Sequence, residues 1–147
     1  IFGLVALSIV GCYAYYPSPE ETLEEIRIVK AEVLSAATSG DFDRALQWIP
    51  QWDEWSRRLE VGTAIRHFEL RPYQRAQTHL LRKRLELLEH LIEHEFEEQK
   101  QLGSGAEKTI GVHNPTEEED ADEMEVRRLV SQLGATSLRM TKAFASN

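Results

Sequence analysis

The sequence predicts an all-α protein: an antiparallel up-down-up-down four-helix bundle behind an apolar N-terminal segment. Three observations predict it. Glycine and proline are few, eight and five in 147 residues. Most stand at the edges of long periodic segments, which is helical rather than β punctuation. Apolar residues recur at three- and four-residue spacing in four successive segments. Ahead of these runs a stretch without any charge, Ile1 to Tyr16. The length suits one domain plus a terminal segment, so the division is an N-terminal anchor over 1–16 and a bundle over 17–147, with a flexible loop at 102–115.

The N-terminal stretch supports two main readings, with an ordinary buried or cleaved segment as a third. Tyr13, Tyr15 and Tyr16 close the apolar run, as interfacial aromatics close a membrane-spanning helix. A span needs about 20 apolar residues, so this reading takes 1–16 as the end of a helix that starts before Ile1. Alternatively, Ile9-Val10-Gly11-Cys12 resembles a bacterial lipobox, which implies lipid attachment at Cys12. A lipoprotein tether is usually polar, whereas three tyrosines and Pro17 follow here, and this favours the spanning helix. Both readings make the membrane a partner and leave the bundle outside the bilayer, with an extracytoplasmic placement expected.

The first bundle helix opens at Ser18-Pro19-Glu20-Glu21, where Ser18 caps, Pro19 takes the first helical position and Glu21 completes a capping box. Leu23, Ile26, Val29, Val33, Leu34 and Ala37 share one face, and Gly40 ends the helix. Asp41 caps a second segment with Phe42, Ala45, Leu46, Trp48 and Ile49. Pro50 should kink or restart it. Beyond Pro50, Trp52, Trp55 and Leu59 face one way and Val61, Ile65 and Phe68 nearly the other, so a bend near Gly62 or a second packing partner is expected.

Pro72 opens the third helix. Leu80, Leu81, Leu85, Leu87, Leu88, Leu91, Ile92 and Phe96 cover half its wheel, a width that suits two neighbours in a bundle. Glycines, Asn114 and Pro115 mark the loop. Thr116 with Glu119 offers a capping box for the fourth helix, whose stripe is Val126, Leu129, Val130, Leu133, Met140 and Phe144.

Net charge is −8, and seven acids against one base fall between Leu102 and Glu123. An acidic chain without a basic stripe argues against nucleic acid as a partner. With one cysteine there is no internal disulfide. The third helix has its bases early (Arg75, Arg82, Lys83, Arg84) and its acids late (Glu93, Glu95, Glu97, Glu98), against the helix dipole. The turn carrying Arg66, Arg71 and Arg75 is expected next to the membrane, where basic groups can bind anionic lipid, although ordinary solubilising charges are the leading reading.

Candidate sites are few. His90 and His94 stand four apart on one helix, so both rings reach one ion, with Glu93 and Glu97 beside them. A divalent metal is the one cofactor the residues suggest. Two histidines fall short of the three or four ligands zinc takes, which leaves a solvated helix face as the leading reading. His90-Leu91-Ile92-Glu93-His94 fits HxxEH and resembles the inverted zinc motif of inverzincin metallopeptidases. The resemblance implies zinc held by the two histidines and Glu93 as general base. Leu70-Arg71-Pro72-Tyr73-Gln74 resembles the LTxxQ element of periplasmic helical proteins of envelope-stress and metal-resistance systems. Leu70 and Gln74 match, Arg71 replaces the Thr, and the resemblance implies metal sensing or chaperone-like binding. Trp48, Trp52 and Trp55 recur at i, i+4 and i+7. Core packing is the first expectation, and an exposed face of this trio would be the best surface for a protein partner. No GxSxG, Walker or CxxC pattern occurs. The expectation is a non-enzymatic, membrane-anchored interaction module that meets another envelope protein, with a metal-binding or metal-sensing domain as the alternative.

Overall fold

A computed structural model describes residues 2–67, 69–104 and 116–145, with side chains described at all of these except 2, 12, 13, 96, 98–104 and 116–123. Among them the chain is wholly helical: α1 Phe2–Tyr15, α2 Pro19–Ser39, α3 Phe42–His67, α4 Pro72–Ser104 and α5 Thr116–Ala145. The expected all-α class is therefore found. The 102–115 loop lies almost entirely outside the described residues, and α4 extends through its first positions to Ser104.

The ends of α2 follow from local chemistry. The Ser18 N–H donates to the Glu21 carboxylate at 2.9 Å and the Glu21 N–H donates to Ser18 Oγ at 3.2 Å. These two bonds satisfy helix-end donors reciprocally, and the Ser18 N–H holds the Glu21 carboxyl below its usual pKa. At the other end Gly40 adopts φ 74°, a left-handed geometry that glycine reaches without a Cβ penalty. Asp41 then caps α3, its Oδ1 accepting from the Arg44 N–H at 3.3 Å.

The packed pairs are α2 with α3 and α5, and α4 with α3 and α5; α1 belongs to none of them. Each buried face follows a four-three spacing: Thr22, Ile26, Val29, Val33 and Ala36 on α2; Ala45, Ile49, Trp52, Ser56, Leu59 and Thr63 on α3; Gln74, Thr78, Leu81, Leu85, Leu88 and Ile92 on α4. On α5, Val126, Leu133 and Met140 repeat every seventh residue, with Thr136, Ser137, Ala143 and Phe144 buried beside them. A repeat of seven keeps each seam facing its neighbours along the whole helix, as in coiled-coil packing. Cross-helix bonds give the register. Arg66 reaches Tyr16 and Pro17, Arg44 pairs with Glu32, Thr78 donates to Glu60, and Gln74 donates to the Ala143 carbonyl. The end of α3, the start of α4 and the end of α5 thus gather near the junction of α1 and α2.

Three expectations change. First, α3 does not restart at Pro50; it is one helix from Phe42 to His67, packed on both α2 and α4. It solves the divergent-face problem with small and hydroxyl residues. Ser56 and Thr63 lie in the buried seam, Ser56 Oγ donating back to the Trp52 carbonyl at 2.8 Å, while Val61 and Ile65 stay half-exposed. Phe68 lies outside the described residues. Second, α4 has the two neighbours its wide apolar face suits, α3 and α5, yet Leu80 and Leu87 at the edge of that face are exposed. Third, no described helix is long and apolar enough to cross a membrane. At 14 residues, α1 measures about 21 Å by helical rise, against a hydrocarbon core of about 30 Å. The anchor expected over 1–16 gains no spanning helix from the described residues. The Cys12 side chain, the candidate for lipid attachment, is outside them.

Candidate functional site

The feature of this chain that packing leaves over is α1 and its junction with α3. Leu4, Val5, Leu7, Ile9 and Val10 are all more than half exposed, so the apolar surface of α1 has no protein cover. The helix is nevertheless fastened at its end. The Arg58 guanidinium lies 4.9 Å from the Trp55 ring and 5.6 Å from the Tyr15 ring, within the range of a cation–π contact. The Tyr15 and Tyr16 rings meet edge-on at 5.1 Å. Arg66 donates to the Tyr16 carbonyl at 2.8 Å and to the Pro17 carbonyl at 3.0 Å. Those two carbonyls lie between helices, where no i+4 N–H serves them, and a charged donor supplies the partner. Gly62 eases the approach, since a Cβ there would stand a tight 3.3 Å from the Pro17 carbonyl oxygen. Arg58, Gly62 and Arg66 recur every fourth residue, so one stripe of α3 carries the whole fastening. The sequence reading singled out Arg66 but not Arg58. The signal was present: two arginines in register with a mid-helix glycine, next to a tyrosine-rich apolar run.

The tryptophans do not form one surface. Trp52 is fully buried, with an indole N–H that finds no acceptor. Trp48 and Trp55 pack half-buried against the core on either side of it. Trp52 is therefore removed from the partner-binding candidates, and Trp55 is engaged by Arg58.

His90 and His94 are exposed on α4 and line a groove of about 550 Å³ with Leu87, Leu91, Glu125, Arg128, Leu129 and Gln132. Glu93 and Glu97 are exposed on the same helix. Among the described residues no three His, Cys, Asp or Glu side chains come together so as to hold a metal ion. Leu70 and Gln74, the residues of the LTxxQ resemblance, are buried. Gln74 accepts from the Arg71 N–H at 3.1 Å and donates to Ala143 at 3.0 Å, so they seat the start of α4 on the end of α5.

A second cleft, about 500 Å³, opens between α3 and α4 at Pro50 and is lined by Asp53, Arg82, Lys83, Glu86 and Glu89. Arg82 donates to Asp53 at 2.6 and 3.4 Å, which holds the guanidinium more firmly protonated. Burial, then the neighbouring Glu93, Asp53 and Glu86, pushes the Glu89 carboxyl up. Lys83, bonded to Glu86, draws that carboxyl down.

The chain matches no protein-family model, no curated protein and no solved structure.

Proposed function

We propose that this chain is a non-enzymatic, membrane-associated interaction module: an antiparallel up-down-up-down four-helix bundle carried at a bilayer by residues 1–16, with the bundle outside the membrane. The observation that supports this most is α1 itself, an apolar helix with exposed side chains, excluded from the packed pairs yet held to α3 by Arg58 and Arg66. An uncovered apolar surface of this kind marks a membrane or protein contact. The two arginines would pass the position of α1 on to the bundle. Toward another envelope protein the bundle would offer the outward stripe of α4, where Ala76, Leu80, Lys83, Leu87, His90 and His94 are exposed at four-three spacing.

The test is co-sedimentation of the chain with uncharged phosphatidylcholine vesicles, beside the Leu7→Asp/Val10→Asp variant. Each apolar side chain withdrawn from lipid forfeits about 1.5–3 kcal/mol of transfer free energy. The variant should therefore bind more than about tenfold more weakly. A wild-type chain that stays in the supernatant with every vesicle composition would remove the membrane from this reading.

A further inference from the structure

The charge of the chain is divided between the two ends of the bundle. Residues 19–28, 55–84 and 135–145, drawn together by the Arg66, Thr78–Glu60 and Gln74–Ala143 contacts, carry a net charge of +5, and residues 29–54, 85–104 and 116–134 carry −13. Helix α4 is divided most sharply: residues 72–84 hold four bases and no acid, residues 85–99 six acids and no Lys or Arg. That order opposes the helix macrodipole, so the stability of α4 does not account for it. A field along the molecule, basic at the α1 end and acidic away from it, is its consequence.

We propose that the basic end of the bundle is a docking surface for the anionic phospholipid headgroups of the bilayer that takes up α1. This rests on the membrane reading above and adds the lipid class. The exposed cations at this end include Arg71, Arg75, Arg139 and Lys142, and Tyr73, 57% exposed, belongs to the same end. Its acids are concentrated on the first turns of α2, where Glu21 is bonded to Ser18 and Glu24 to Arg27, with Glu69 and Glu60 besides. The apolar helix joins the bundle at the end that carries the basic surface, and a short apolar segment gains firm membrane attachment when a basic patch accompanies it. Headgroup charge attracts this end within a Debye length of about 8–10 Å and repels the acidic one, which stands the bundle end-on to the membrane.

The experiment uses the full chain with vesicles of phosphatidylcholine alone and of phosphatidylcholine mixed with phosphatidylglycerol, at low and at physiological salt. It is repeated with the Arg71→Glu/Arg75→Glu/Lys142→Glu variant. Binding to the anionic vesicles should exceed binding to the neutral ones about tenfold or more at low salt, contract as salt rises, and fall to the neutral level in the variant. Equal binding to both vesicles overturns the proposal and leaves the α1 reading standing. Absence of binding to either overturns both. An anionic preference that survives the charge reversal, or that ignores salt, also overturns it. The salt titration uses the unaltered chain, so it decides the matter even where the substituted protein is unstable.

Discussion

Single residues in this fold sit in environments that their neighbours define, and Glu89 shows it best. Its carboxyl faces the α3–α4 cleft and is pushed above its ordinary value of 4.5, first by burial and then by Glu93, Asp53 and Glu86. Arg82, a base lining that cleft, is already committed to Asp53. The sign of the consequence follows from proton linkage. Below the ordinary value Glu89 is protonated in both the folded and the unfolded chain and contributes nothing. As pH rises the unfolded chain releases the proton first, so stability falls through the window between the ordinary value and the raised one. Above that window the charged carboxylate remains a fixed penalty. Glu89→Gln should therefore raise the urea midpoint at neutral pH and leave it unchanged below about pH 4. A midpoint that drops at neutral pH would mean that Glu89 has a stabilising partner in the cleft. Trp52 belongs to the same scale. Its burial satisfies the hydrophobic requirement of the seam and leaves the indole N–H without an acceptor, a group whose polarity counts against the site it fills.

Helices set the next scale, and α3 carries the most internal conflict. Pro50 has no N–H, so the Leu46 carbonyl lacks its helical donor, yet α3 runs through it unbroken. The tertiary seam, Ala45 and Ile49 before Pro50 and Trp52, Ser56, Leu59 and Thr63 beyond it, outweighs the local preference. Proline inside a helix costs about 3 kcal/mol. Pro50→Ala should thus stabilise the protein by about 1–3 kcal/mol, seen as a higher melting temperature. An unchanged or lower melting temperature would show that the proline ring itself seats Trp52 and Asp53. How much of each helix the sequence discloses depends on who supplies the information. The bounds of α2 were legible because Ser18, Glu21, Gly40 and Asp41 fix them through bonds made within a few residues. The seam of α3 was not, because Ser56 and Thr63 count as polar on a helical wheel, and only the packing of α2 and α4 puts their hydroxyls inside. On α4 the leucines were legible as apolar but not as buried. Leu81 and Leu85 face the core, whereas Leu80 and Leu87, one residue away from seam positions, face water. The fastening of α1 was equally hidden, since Arg66 meets Tyr16 across fifty positions of chain.

At the scale of the whole molecule, the distribution of charge has a cost that can be measured without any membrane. The half of the bundle away from α1 carries −13 of charge against +5 in the other. The ends of α2 alone are about 30 Å apart, taking 1.5 Å for each of its 21 residues. Attraction between the two ends is screened at that distance even in modest salt, while repulsion among acids a few ångströms apart within one end is not. At low ionic strength the acidic end therefore works against the compact state. The ion pairs that salt would weaken are mostly exposed ones, such as Arg27–Glu24 and Lys83–Glu86, and pairs of that kind contribute little. Of the more sheltered pairs, Arg82–Asp53 is at once a direct hydrogen bond, which screening affects less than it affects repulsion between separated charges. The balance predicts a protein that salt stabilises. Between about 10 mM and 150 mM sodium chloride the melting temperature should rise by a few degrees, the response to about 1 kcal/mol in a domain of this size. Neutralising Glu93 and Glu97 together to Gln should reproduce part of that rise at low salt and flatten the salt dependence. A melting temperature that falls with salt would reverse the ranking, with cross-helix ion pairs stronger than the crowding of like charge. The polarity along the bundle would then be part of what holds it together rather than a strain on the fold.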